Sequence, residues 1–164
     1  MMVSVHPMTD AGYAWLLGEA PRADGLRLCD GGIAPAEVTA MLRGITAGLA
    51  EADPRPLAWL IADGDEVVGM TSFTKREADG RYEIGYGVAP AHEGRGVMTA
   101  TVAALLPILR ADGHRGLTAA TSVDNPGSQR VLEKNGFMHQ GTRDDPEDGP
   151  LHIWAIDLTT DGRP

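Results

Sequence analysis

Two glycines, one carboxylate and two small hydrogen-bonding side chains carry the chemistry open to this sequence. Gly94, Arg95 and Gly96 stand between a strand-like run ending at Val88 and a helix-like run opening at Val97. The first turn of a helix has backbone N–H groups without internal partners, and the helix dipole makes that end electropositive, so a phosphate can be held there. Gly94 and Gly96 lack Cβ atoms and let a ligand approach the backbone, and Arg95 can add a charge-assisted contact. The lysine and hydroxyl of a nucleotide-triphosphate loop are missing after the second glycine, and the spacing is not that of a dinucleotide fingerprint. A tight strand-to-helix turn needs the same two glycines, so that plainer reading stays open. Glu83 shares a strand face with Gly85 and Gly87, where something can pack close to the backbone, and a carboxylate there can accept a proton. A solvated or ion-paired strand residue is the alternative. Asn125 and Ser128 open a short helix after a further strand, with Asn125 either a plain cap or a ligand contact.

The elements that must position these groups follow from periodicity. Val3 to Val5 reads as a strand, and Thr9 and Asp10 as the start of a short helix carrying Tyr13, Leu16 and Leu17. The stretch 18–34 has no period and reads as a loop or broken helix. From Pro35, the residues Val38, Met41, Leu42, Ile45 and Leu49 fall at helical spacing and predict one apolar face. Leu57 to Ala62, Asp63-Gly64, Glu66 to Phe73, Asp79-Gly80 and Arg81 to Val88 predict a three-stranded meander. Val97 to Leu109 predicts a helix that Pro107 kinks or confines, and Leu117 to Ser122 a strand. Asn125-Pro126 starts the next helix and Gly136 stops it, with Phe137 able to pack back on Leu132. Met138 to Thr142 and Ile153 to Leu158 read as strands around an acidic loop that holds Asp144, Asp145, Glu147 and Asp148.

The 164 residues suit one ordinary domain, and a single domain over 1–164 is expected. With 43% hydrophobic and 23% charged residues the chain has the composition of a packed globular protein rather than of a disordered one. A net charge of −9 disfavours a nucleic-acid partner and favours cationic ones. The longest apolar stretch, Val97 to Leu109, is too short to cross a membrane. The N-terminal segment has no leader pattern and the sole cysteine, Cys29, has no internal partner, which places the expectation in the cytoplasm. His6, His92, His114, His139 and His152 show no metal-ligand spacing, and no metal is expected. Trp15, Trp59 and Trp154 lie in helix or strand patterns and read as core.

In order, the meander, Val88-Ala89-Pro90, Glu93-Gly94-Arg95-Gly96-Val97-Met98-Thr99, a helix, a strand, Asn125 to Ser128 and Glu133-Lys134-Asn135-Gly136-Phe137 resemble the GNAT superfamily of acyl-CoA-dependent N-acyltransferases. The resemblance covers roughly residues 3–158 and is most similar to the branch of ribosomal-protein alanine N-acetyltransferases. It implies an α/β (α+β) fold with a mixed, mostly antiparallel central sheet flanked by helices, whose fourth and fifth strands, Arg81 to Val88 and Leu117 to Ser122, splay apart. It also implies acetyl-CoA as cosubstrate, with its pyrophosphate on the N–H groups of Arg95 to Met98 and its pantetheine arm against Val88 and Asn125. Two positions depart from the family pattern: Glu93 stands where Gln or Arg is usual, and Met98 where Gly or Ala is common. The implied chemistry is direct attack on the thioester by a primary amine, on a small molecule or a protein N-terminus. Glu83 would take the proton, a backbone N–H near Val88 would hold the oxyanion, and Ser128 would serve the leaving thiolate as acid, or the leaving group would simply depart as thiolate. A catalytically idle acyl-CoA sensor on the same scaffold is the alternative, and a homodimer is left open.

Overall fold

The computed structural model describes residues 1–22 and 24–159, so residues 23 and 160–164 of the expected single domain lie outside it. Eight strands form one sheet: β1 (Val3–Pro7), β2 (Arg27–Leu28), β3 (Ala58–Asp63), β4 (Glu66–Arg76), β5 (Tyr82–Val88), β6 (Gly116–Ser122), β7 (Met138–Asp145) and β8 (Gly149–Asp157). Their order is β1-β3-β4-β5-β6-β8-β7, with β2 added in parallel to the start of β4. The expected meander is β3-β4-β5, and the turn between its first two strands is made by Gly64 at φ 62°. Among the described residues, four α-helices complete the fold: α1 (Asp10–Leu16), α2 (Ala36–Ala50), α3 (Val97–Ala111) and α4 (Pro126–Lys134).

The sheet is buried on both faces through its middle, where Ala58 to Ala62 have no exposed surface. One face packs Trp59, Phe73, Tyr82, Ile84 and Leu117 against Val102, Leu105 and Leu109 of α3 and Leu132 of α4. The other packs Leu60, Val67 and Met70 against Tyr13 of α1 and Leu42 of α2. The apolar rows of α3 sit where period-3.6 spacing puts them. Pro107 lies inside this helix without ending it: Pro107 and Ala103 are both exposed, so the carbonyl deprived of its N–H partner faces water.

Three expectations are corrected. In α2 Thr39 is buried, Leu42, Ile45, Thr46 and Leu49 are half-buried, and Val38 and Met41 are exposed. Two threonines can face inward because their hydroxyls are satisfied, Thr39 donating to the Pro35 carbonyl and Thr46 sharing a 2.7 Å bond with the Tyr13 hydroxyl. Of the two readings of the stretch 18–34, the loop holds among its described residues and the broken helix does not; the loop is interrupted by the short β2, where the Arg27 and Cys29 N–H groups donate to the Asp65 and Val67 carbonyls. The strands on either side of the acidic loop run further than expected, to Asp145 and from Gly149, so most of that loop is hairpin. Asp145 accepts the N–H groups of Glu147 and Asp148 at 2.8 and 2.9 Å, and Gly149 turns at φ 73°.

Candidate functional site

The site begins where two neighbouring strands part. Among the described residues, β5 and β6 pair at Tyr82 with Leu117 and at Glu83 with Thr118, and at no further positions. Beyond Glu83 the edge of β5 facing β6 is unpaired, while its other edge stays bonded to β4 as far as Val88. The close approach of β4 and β5 depends on Gly69, since a Cβ there would collide with the Gly87 carbonyl oxygen. The splay expected of the fourth and fifth strands is therefore present.

The chain leaves β5 through Pro90–His92, a single 3-10 turn, and enters α3 with Gly94 and Gly96 at φ 74° and 77°. Side chains other than glycine pay for that conformation, and a Cβ at either position would meet open space, so backbone conformation rather than crowding requires glycine. No side chain caps α3 at Gly96, and the first helical bond runs from the Ala100 N–H to the Gly96 carbonyl. The N–H groups of Val97, Met98 and Thr99 thus lack intrahelical acceptors.

A cleft of about 540 Å³ lies against this helix end. Val88, Glu93, Gly94, Gly96, Val97, Met98 and Thr99 line one wall, and Asn125 and Ser128 the other. Nine of the residues selected from sequence are thereby brought into one space. Glu93 is exposed, so its carboxylate stays in water, and Met98 packs partly into the core beneath the cleft. The Asn125 side chain caps α4, its Oδ1 accepting the Ser128 N–H at 3.1 Å, so the residue is a cap and a wall of the cleft at once.

Arg95 and Glu83 fall outside that lining. The Arg95 side chain is exposed on the loop. Glu83 points to the opposite face of the sheet at the last pair before the strands diverge. There a bulge in β4 places Thr74 across from it, and the Thr74 hydroxyl donates to Glu83 Oε1 at 2.8 Å. Lys75 Nζ stands 4.0 Å from the other Glu83 oxygen and 3.6 Å from Glu77, whose carboxylate accepts from Thr118 at 3.2 Å. Two carboxylates and one ammonium thus gather at the apex of the splay, on the face away from α3. The Gly85 backbone is covered by the Thr74 methyl at that point, whereas Gly87 is open.

Sequence reasoning missed the other residues that line the cleft, of which Tyr86, His92, Arg130 and Lys134 carry polar or charged side chains. Arg130 and Lys134 are four apart on α4, a spacing that puts both on one helix face and was readable once Asn125 and Ser128 had been placed. They bring positive charge to a cleft in an otherwise acidic protein. Tyr86 reaches from β5 to α4, its hydroxyl 2.8 Å from Ser128 Oγ. Burial pushes its phenol above the ordinary range, partly offset by the bond to Ser128. Among the described residues no cluster of three or more His, Cys, Asp or Glu side chains could hold a metal ion.

Open backbone N–H groups, glycines at positive φ and two cations suit a diphosphate with further phosphate charge, and the unpaired edge of β5 suits an extended amide-bearing arm. These are the parts of coenzyme A.

Comparison with known proteins agrees with this geometry. The chain is 33% identical over 85 residues, 51% of its length, to the ribosomal-protein-serine acetyltransferase of Escherichia coli (strain K12). The match covers 48% of that relative, so the chain aligns with about half of it. A ribosomal L7/L12 alpha-N-protein acetyltransferase solved in complex with coenzyme A has the same fold, with a TM-score of 0.67 at 21% identity over 97% of this chain and 96% of that one. A ribosomal-protein-S5-alanine acetyltransferase from Vibrio fischeri gives a TM-score of 0.69 at 14% identity over 99% and 96% of the two chains. Residues 11–138 match the acetyltransferase (GNAT) domain, and on that match the chain belongs to the GNAT acetyltransferase family.

Proposed function

We propose that the protein transfers an acetyl group from acetyl-CoA to the free α-amine of a protein N-terminus. The observation that carries this reading is the joining of an uncapped α3, at Gly94 to Thr99, to the gap between β5 and β6. The N–H groups of Val97, Met98 and Thr99 hold the pyrophosphate, with Glu93, Gly94, Arg95 and Gly96 shaping the loop. Arg130 and Lys134 supply counter-charge from α4. Val88 and Asn125 flank the pantetheine arm, and acetyl-CoA supplies an activated thioester. An N-terminal acceptor is supported by the names of the relatives, which modify ribosomal proteins.

Glu83, on the acceptor face of the sheet, receives the proton lost by the amine, directly or through water, while Thr74 fixes its carboxylate. An α-amine has a pKa of about 7.7–8.0, so a useful fraction is neutral near pH 7 and the base has less to do than with an alkyl ammonium near 10.4. A backbone N–H near Val88 stabilises the oxyanion, and Ser128 serves the departing sulfur. The negative net charge and the carboxylates Glu77 and Glu83 favour approach of a cationic terminus.

The test is calorimetric titration with coenzyme A, then thiol release from acetyl-CoA with peptides that begin with free serine or alanine and with the same peptides blocked at the N-terminus. Binding and thiol release that needs a free α-amine are expected. Absence of coenzyme A binding overturns the reading of the cleft, and binding without release on any peptide favours the idle sensor.

A further inference from the structure

Resting on the reading of the cleft as a coenzyme A site, we propose that Tyr86 and Ser128 form one hydrogen-bond relay that stabilises the departing sulfur as a thiolate, with Tyr86 the positioning residue behind Ser128. Both residues line the cleft from opposite sides of the splay, Tyr86 on β5 and Ser128 in the first turn of α4. The Tyr86 hydroxyl lies 2.8 Å from Ser128 Oγ and 3.4 Å from the Ser128 carbonyl oxygen. Both acceptors for the phenol proton thus belong to Ser128, and donation by Tyr86 leaves the serine O–H free to point at a ligand. The Ser128 N–H is already taken by Asn125, which fixes the residue at the positive end of α4.

Acidity decides what the pair can do. A phenol, with a pKa of about 10, is no stronger an acid than an alkyl thiol, so proton transfer from tyrosine to a thiolate has no driving force before anything else is counted. Burial makes the Tyr86 phenol a weaker acid still, and an aliphatic hydroxyl is weaker again. Donating a hydrogen bond without surrendering the proton has no such cost, and one hydroxyl donating to another strengthens the second as a donor. The step then balances without an enzymic acid. The amine lone pair forms the C–N bond, the C–S bond breaks with its electrons on sulfur, the amine proton goes to Glu83 or water, and the thiolate takes a proton from solvent after release.

The test needs no acceptor. Coenzyme A is bound to the wild type and to Tyr86→Phe, Ser128→Ala and the double variant, and its thiol is titrated by the ultraviolet absorbance of the thiolate. In the wild-type complex the thiol pKa is expected about one unit below that of free coenzyme A. Each single variant should return most of that shift, and the double variant no more than either single one. Coenzyme A affinity in Tyr86→Phe should stay within about two-fold of wild type, whereas a merely structural tyrosine would move affinity or folding and leave the thiol pKa alone. An unshifted thiol in the wild-type complex, or a shift that both single variants retain, overturns the relay and leaves the cleft reading intact. Failure of the wild type to bind coenzyme A overturns both. If Tyr86→Phe fails to fold, Ser128→Ala carries the same comparison.

Discussion

Gly96 separates two demands that sequence reading joined, because its backbone sits at φ 77° while the space beside it is empty. Replacing it with aspartate therefore adds left-handed strain of about 1–2 kcal/mol and sets a carboxylate where a diphosphate must lie. Gly96→Asp should raise the coenzyme A dissociation constant by at least roughly ten-fold. Gly113→Ala, at φ 84° beyond the far end of α3, is the control and should lower the thermal midpoint while leaving affinity alone. Equal affinities in two folded variants would remove the phosphate from this loop. At Glu83, changing the carboxylate to an amide keeps the Thr74 contact and abolishes proton acceptance. Glu83→Gln should cost roughly 100-fold in turnover, most of all at low pH where the amine is most protonated, with the coenzyme A dissociation constant unchanged. A pH–rate profile superimposable on wild type would exclude it. The loop glycines and the Asn125 cap were legible because turns and helix starts are local chemistry. Tyr86 was not, because a tyrosine alternating along a strand looks like core, and its partner lies 42 residues further on.

At the scale of the element, α4 couples folding to the site, since nine residues make a marginal helix that depends on its ends. Asn125 closes one end through the Ser128 N–H, and Gly136 closes the other at φ 86°, with the Phe137 N–H donating to the Leu132 carbonyl. Loss of the cap in Asn125→Ala should cost about 1 kcal/mol of stability, read as a shift in the denaturation midpoint, and should also weaken coenzyme A binding because Ser128 and Arg130 ride on that turn. Unchanged binding with the stability loss intact would make Asn125 a cap alone. These boundaries were readable because capping is local chemistry. The orientation of α2 was not, since Thr39 and Thr46 count as polar in any apolar tally yet face inward with their hydroxyls paired. A two-residue strand such as β2 has no period to detect, and Asp145 makes a tight turn out of a run that composition reads as a loop.

Across the molecule, the strand order β5-β6-β8-β7 joins segments whose pairing only tertiary packing decides, so the cleft followed from resemblance rather than from any local pattern. The same long-range assembly encloses a polar network at the end of the sheet away from the glycine loop. Asp53 accepts from Arg55 and from the Tyr82 hydroxyl, and the ring of His114 packs edge-on against Phe73 and Tyr82 at 5.2 and 5.8 Å. His114 is 3% exposed, and among the described residues its Nε2 is buried without a hydrogen-bond partner. Burial, and then the nearby Arg55, hold its imidazole below the usual histidine range, while the Arg55 guanidinium holds the Asp53 carboxyl far below the usual carboxylate range. Both shifts have the same sign for stability. As pH falls below about 6.5 the unfolded chain takes up a proton at His114 that the folded chain resists, and below about 4 it does so at Asp53 as well, so the folded state loses ground in two steps. His114→Phe keeps the aromatic packing and removes the first of these. Thermal midpoints measured from about pH 7.5 to 5 should fall in the wild type and fall less in the variant, with each kcal/mol read as about 2–4 °C for a chain of this size. Identical slopes in the two proteins would show that His114 does not resist its proton, and would leave acid sensitivity to the carboxylates, Asp53 foremost, whose hydrogen bonds hold them below the usual range.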